Sequence, residues 1–157
     1  MTTTRLAGPD DAATIARMLH DFNVEFGTPT PGVEFLTARG RTLLGTGEMT
    51  AVLGSAESDG AEPLGIGVLR FWPALWSDGF IAYLEELYVV PNCRDQGIGG
   101  AIMATAMDLS RERGAVEMYI GVDEPDIDTR RFYERLGFRN HDPDDPSARM
   151  FFYEREL

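Results

Sequence analysis

Apolar positions along the chain follow two rhythms. Ile15, Met18, Leu19 and Phe22 recur at helical spacing, which predicts a helix with one face on a core. Pro9 suits a first helical position, and Asp10 and Asp11 suit the positively polarised start of that helix. Gly27 to Gly32, with two prolines, is a break, and Val33–Leu44 predicts a second helix ended by Gly45-Thr46-Gly47. Short runs of strand character follow at Met49–Leu53, Leu64–Trp72 and Phe80–Val90, with a first short strand at Thr3–Leu6. The polar run Ser55–Pro63 predicts the turn of a hairpin.

Beyond Val90 the rhythm changes. Pro91 stops the strand and Cys93–Gly100 is punctuated by glycine. Ile98, Ile102, Ala106 and Leu109 then mark one face of a helix, with Arg111 and Arg113 in its last turn and Gly114 at the cap position. Val116–Val122 predicts a strand, and Asp126 caps a short helix running to Leu136, with Gly137 after it. Phe138–Asn140 and Met150–Glu154 read as closing strands. This order predicts an α/β (α+β) sheet with helices on both faces. No repeat, low-complexity tract or linker divides residues 1–157, so one domain is expected.

Composition narrows the partners. The chain has 157 residues, 43% hydrophobic and 25% charged, enough to bury a real core. No stretch nears the roughly 20 apolar residues of a bilayer span, and the first residues lack a signal-peptide core, so a cytoplasmic protein is expected. Twenty-six acidic against fourteen basic residues give a net charge of −12. That field repels nucleic acid and anionic membranes and attracts cationic small molecules, although it also fits plain solubility. All the basic residues are arginine. A lone Cys93 forbids an intrachain disulfide, and His20 and His141 have no neighbours of ligand spacing, so no metal is expected.

The turn Arg94-Asp95-Gln96-Gly97-Ile98-Gly99-Gly100 lies between a strand and a helix. A helix start offers unpaired N–H groups and partial positive charge to an anion, and glycines let a phosphate approach the backbone. A Walker A loop is excluded, because it needs a lysine and the chain has none. The dinucleotide-binding fingerprint needs a further glycine where Ile102 stands.

Arg94-x-x-Gly97-x-Gly99, preceded by Leu87-Tyr88-Val89-Val90-Pro91, resembles the Arg/Gln-x-x-Gly-x-Gly/Ala signature of the GNAT superfamily of N-acetyltransferases. Downstream, Arg131-Phe132-Tyr133-Glu134-Arg135-Leu136-Gly137-Phe138 is similar to that family's Phe-Tyr-x-x-x-Gly-Phe segment. The resemblance covers about Ile81 to Asn140. It implies the GNAT fold, a mixed, mostly antiparallel sheet splayed between its fourth and fifth strands, with acetyl-coenzyme A in the split.

By position, the resemblance implies that the backbone of Leu87, Tyr88 and Val89 pairs with the pantetheine arm. Asp95, Gln96, Gly97, Ile98, Gly99 and Gly100 would wrap the pyrophosphate behind Arg94. Tyr133 would protonate the leaving thiolate. Glu85 and Glu86 are the candidates for the base and for substrate binding. Adjacent strand residues face opposite ways, so only one should face the acetyl group unless the strand bulges. Tyr83-Leu84-Glu85-Glu86-Leu87-Tyr88-Val89 also resembles the equivalent strand of diamine and polyamine N-acetyltransferases, which implies a small cationic amine as acceptor. Two positions depart from the family: Asp126 and Thr129 stand where Asn and Ala are common, which puts the cofactor contact of Asp126 in doubt. Trp72 and Trp76 are candidate roofs of the acceptor site or plain hairpin packing. A protein-amine acetyltransferase and a non-catalytic acyl-coenzyme A sensor stay open as alternatives. Dimers being common among similar proteins, a homodimer is among the expected assemblies.

Overall fold

The computed structural model describes residues 2–56 and 61–157, so the middle of the expected Ser55–Pro63 turn lies outside the described residues. Five strands form one sheet in chain order: β1 (Thr2–Leu6), β2 (Thr50–Ala56), β3 (Gly65–Pro73), β4 (Phe80–Val89) and β5 (Ala115–Ile120). The first four pair antiparallel and β5 runs parallel to β4, giving the mixed, mostly antiparallel sheet expected. The helices are α1 (Ala12–Glu25), α2 (Val33–Thr46), α3 (Ile98–Glu112) and α4 (Ile127–Arg135). Helix α2 runs past Gly45 because the left-handed turn that ends it comes at Gly47, at φ 75°.

Alternation along the strands divides the core between two faces. Ala51, Leu53, Ile66, Val68 and Tyr88 project to one side, where Ile15 and Met18 of α1 and Leu43 of α2 bury them. Their neighbours Gly54, Gly65 and Gly67 open the other side to α3. A β carbon on Gly67 would stand 2.7 Å from Ile102 Cγ2, and one on Gly54 or Gly65 would stand 2.9 Å from Ile102 Cδ1. The glycines therefore let α3 sit closer to the sheet than any side chain permits. At its far end Arg113 holds α3 to the same face, donating to Thr50 Oγ1 (2.9 Å) and stacking 4.8 Å from the Phe71 ring.

Contacts group the residues into a first unit ending at Ile120 and a second, Gly121–Leu157. In the second unit Asp126 caps α4 as expected, accepting from the Thr129 N–H at 3.1 Å, and Gly137 follows at φ 90°. The closing strands Phe138–Asn140 and Met150–Glu154 do not form. A single bridge, His141 to Arg149, stands in their place. Between them lies Asp142-Pro143-Asp144-Asp145-Pro146, whose aspartates accept from the Asp144 and Ser147 N–H groups at 2.8 and 2.9 Å. Local side-chain bonds and two prolines without an N–H bend this stretch instead of pairing it. Met150, Phe151, Phe152 and Tyr153 are consequently exposed.

Candidate active site

Strands β4 and β5 separate part-way along their length. Their last paired residues are Leu84 and Ile120, after which β4 continues alone on that side from Glu85 to Val89. Val90 N–H donates to Leu64 O, just before β3 (2.9 Å), so alternation aims the Val89 and Leu87 amide groups away from β3, into the split. Arg94 Nε donates to Val89 O (3.0 Å), as that direction requires. The Tyr88 amide points back to β3. Of the three residues expected to offer backbone to a ligand, Leu87 and Val89 present theirs, and the Val89 carbonyl is already taken.

Strand β4 leads through a short turn, Pro91–Cys93, into α3. Gly97 at φ 84° and Asp95 at φ 59° reverse the chain. The first helical bond runs from Ala101 N–H to Gly97 O, so Ile98, Gly99 and Gly100 have N–H groups with no acceptor inside the helix. A helix start of this form suits a phosphate. Arg94 is fully engaged by protein: both its terminal nitrogens reach the Glu25 carboxylate at 2.7 Å, and its guanidinium lies 5.8 Å from the Tyr88 ring centroid. It fastens the turn to the end of α1. Glu25 gave no sequence signal, since it lies 69 residues from its partner.

At the mouth of the split β4 carries a bulge. Val68 opposes Glu86 and Leu69 opposes Leu84, so Glu85 is an extra residue. A β carbon on Gly67 would lie 3.8 Å from Leu84 Cδ1 and 3.9 Å from Leu87 Cδ1, so these leucines share the α3 face although three positions apart. Both glutamates consequently turn to the α1/α2 face. Alternation alone does not allow this. Glu85 is bound by Arg70 of β3, Nε to Oε2 at 2.6 Å, and Arg70 also donates to Glu48 O (3.0 Å). Glu86 is half-buried opposite Val68. Burial, and secondly the charge of Glu85, push its carboxyl up to about 7. Arg70 was missed in the sequence, although a lone charge within the apolar run of β3 was its available sign.

The sequence model of the acetyltransferase (GNAT) family matches residues 15–138. The chain belongs to that family. Members of the GNAT family use acetyl-coenzyme A as cosubstrate, and the free backbone of the splay and the glycine-capped start of α3 fit its amides and its pyrophosphate. Among relatives, thialysine N-epsilon-acetyltransferase of Mus musculus is 31% identical over 81 residues, 52% of this chain and 47% of its own length. An uncharacterized N-acetyltransferase of Bacillus subtilis (strain 168) is 27% identical over 136 residues, 85% of this chain and 87% of its own. The chain spans less than half the length of other curated relatives, 26% of an N-acetyltransferase of Methanocaldococcus jannaschii. A crystal structure assigned to the acetyltransferases, from Arthrobacter sp. FB24, superposes with a TM-score of 0.89 at 44% identity, covering 99% of this chain and 96% of that one. An aminoglycoside acetyltransferase from a soil metagenome, in complex with sisomicin, shares the GNAT fold with a TM-score of 0.75 at 18% identity, over 99% of this chain and 97% of its own.

The remaining expected GNAT residues fall in the second unit. Tyr133 is buried, with its ring 5.2 Å from Phe132 and 5.7 Å from Phe138, and Asp126 is occupied as the cap of α4. Trp72 lies 5.9 Å from Tyr83, ring to ring, whereas Trp76 is 94% exposed and roofs nothing among the described residues of its unit. Among the described residues no group of side chains could hold a metal ion, and no helix is long and apolar enough to cross a membrane.

Proposed function

We propose that the chain transfers the acetyl group of acetyl-coenzyme A to a primary amine of a small cationic molecule. The observation that carries this reading is the bulge at Glu85, which sets two carboxylates on one face where β4 leaves β5. When bound, acetyl-coenzyme A supplies the acetyl carbon: the amine nitrogen bonds to it, the carbon–sulfur bond breaks, and an amide and the free thiol result. Before that step the acceptor ammonium, with a solution pKa near ~10, must lose a proton. Glu86 takes it, because a carboxylate held near neutrality is a stronger base than an ordinary one and is still ionised in useful amount. Glu85, paired with Arg70, adds negative charge to the face that receives the ammonium and adds to the basicity of Glu86.

The outward N–H of Leu87 stabilises the oxygen that becomes negative during attack. The N–H groups of Ile98, Gly99 and Gly100 hold pyrophosphate, and Arg94, through Glu25, fixes the turn that presents them. The Tyr133 hydroxyl gives its proton to the departing thiolate, a role resting on the family motif. The nitrogen gives up a second proton as the carbon–sulfur bond breaks, and that proton restores the Tyr133 hydroxyl, so the net release is the one proton that passes from the ammonium through Glu86 to solvent. The similarity to thialysine N-epsilon-acetyltransferase supports a cationic acceptor.

A thiol-release assay of acetyl-coenzyme A against a broad amine panel tests the reading. We expect diamines, aminoalkyl compounds and basic amino acids to turn over fastest. Faster reaction of neutral or acidic acceptors would sink the cationic substrate class. Coenzyme binding without turnover of any amine would favour a sensor.

A further inference from the structure

Proton removal accounts for Glu86, but the same face of the hairpin carries an aromatic pair that acetyl transfer does not use. Alternation puts Trp72 on the side of Val68 and Arg70, and Tyr83, opposite Arg70, on that side too. Their rings approach to 5.9 Å at a tilt of 43°. Trp72 is 41% exposed at the end of β3, so the indole fills no core. Burial raises the Tyr83 hydroxyl above its ordinary value, with the charges of Glu85 and Glu86 adding to the shift, so the phenol stays neutral. Among the described residues of the β3–β4 hairpin Arg70 is the cation on this face, and its charge is met by Glu85 at 2.6 Å. An aromatic wall with uncompensated acidity beside it attracts a cation without requiring N–H donors.

Resting on the acetyl-transfer reading above, we propose that Trp72 and Tyr83 seat a second, non-reacting cationic group of the acceptor while Glu86 deprotonates the first. Tyr83 and Glu86 lie three positions apart, one of them the bulged residue, so the two nitrogens are separated by two to three strand rises, roughly 7–10 Å. The acceptor class is a diamine or aminoalkyl-ammonium compound. Because the seat is a ring face, a quaternary ammonium fits it as well as a primary one.

The test compares cadaverine, its mono-N,N,N-trimethyl derivative, aminopentanol and pentylamine as acceptors. Both dications should exceed pentylamine in kcat/KM by about three- to thirtyfold, the range of a cation over an aromatic face. Trp72→Ala should bring that ratio close to one, and Trp76→Phe should preserve it. Equal values for pentylamine and the dications, or a ratio that survives Trp72→Ala, would overturn the assignment. So would rejection of the trimethyl derivative with cadaverine retained, which would assign the second cation to the carboxylates alone. A binding readout separates this inference from the reaction. The chain has two tryptophans, so in Trp76→Phe the emission reports Trp72 alone. Saturable quenching by the trimethyl derivative without turnover would leave the subsite standing and remove acetyl transfer; no quenching would remove the subsite even if amines react.

Discussion

If Glu86 is the base, its ionisation sets the acid limb of the pH profile. With its carboxyl at about 7, about one in ten is ionised at pH 6 and about nine in ten at pH 8, so kcat/KM should rise roughly tenfold between them. The acceptor, with a pKa near ~10, stays an ammonium over this window and adds no break of its own. Glu86→Gln should abolish the limb and lower kcat/KM by about 10²–10⁴, equivalent to ~3–5 kcal/mol of transition-state stabilisation. Glu85→Gln removes the second cause of the shift and leaves burial, so the limb should move toward acid yet stay above the ordinary carboxylate range. Stability supplies an independent reading of the same group. The folded chain holds this proton to about 7, whereas the unfolded chain releases it near 4.5. The folded state binds more protons between those values, so stability falls as pH rises through the window, and Glu86→Gln removes that fall. Steady-state rates from pH 5.5 to 8.5 and urea melts at both ends provide the data. A flat profile with cadaverine, or a Gln variant retaining most of its kcat/KM, would refute the assignment.

Two further outcomes are expected. Tyr133→Phe should lower kcat strongly while leaving coenzyme affinity, measured by calorimetry, nearly unchanged; an unaltered rate would remove Tyr133 as the acid. Gly67→Ala drives a β carbon to 2.7 Å from Ile102 Cγ2, an overlap of about 1 Å against ordinary contact, and should cost ~1–3 kcal/mol. The melting point should drop by about 2–4 °C for each kcal/mol, and coenzyme should bind more weakly because α3 also carries the phosphate turn. Wild-type stability in that variant would show that α3 is not seated by the glycines.

The elements with strong periodicity were legible from sequence. Ile15, Met18 and Phe22 announced α1, and Pro91 and the glycines bracketed the phosphate turn, because each is a local property of consecutive residues. Arg94 was placed correctly at the turn, but its carboxylate partner is set by the tertiary path of α1. The bulge was equally hidden. Tyr83-Leu84-Glu85-Glu86-Leu87 reads as an imperfect alternation, and only the partner strand shows which residue is surplus. The closing strands failed for the opposite reason: Phe151 and Phe152 have strand propensity, but pairing depends on a neighbour, and Pro143 and Pro146 bend the chain before one is reached.

Glu85 can also be regarded as an insertion in the literal sense. With it present, Leu84 and Leu87 keep the α3 face, and the backbone beyond stays aimed into the split between β4 and β5. Deleting that one codon would restore strict alternation, leave a single carboxylate on the acceptor side and disturb neither flank. Arg70 would then keep the Glu48 carbonyl but lose its carboxylate partner, and this face of the hairpin would become less acidic. On the acetyl-transfer reading proposed above, one triplet of nucleotides would then be enough to change acceptor preference while the phosphate turn is inherited intact.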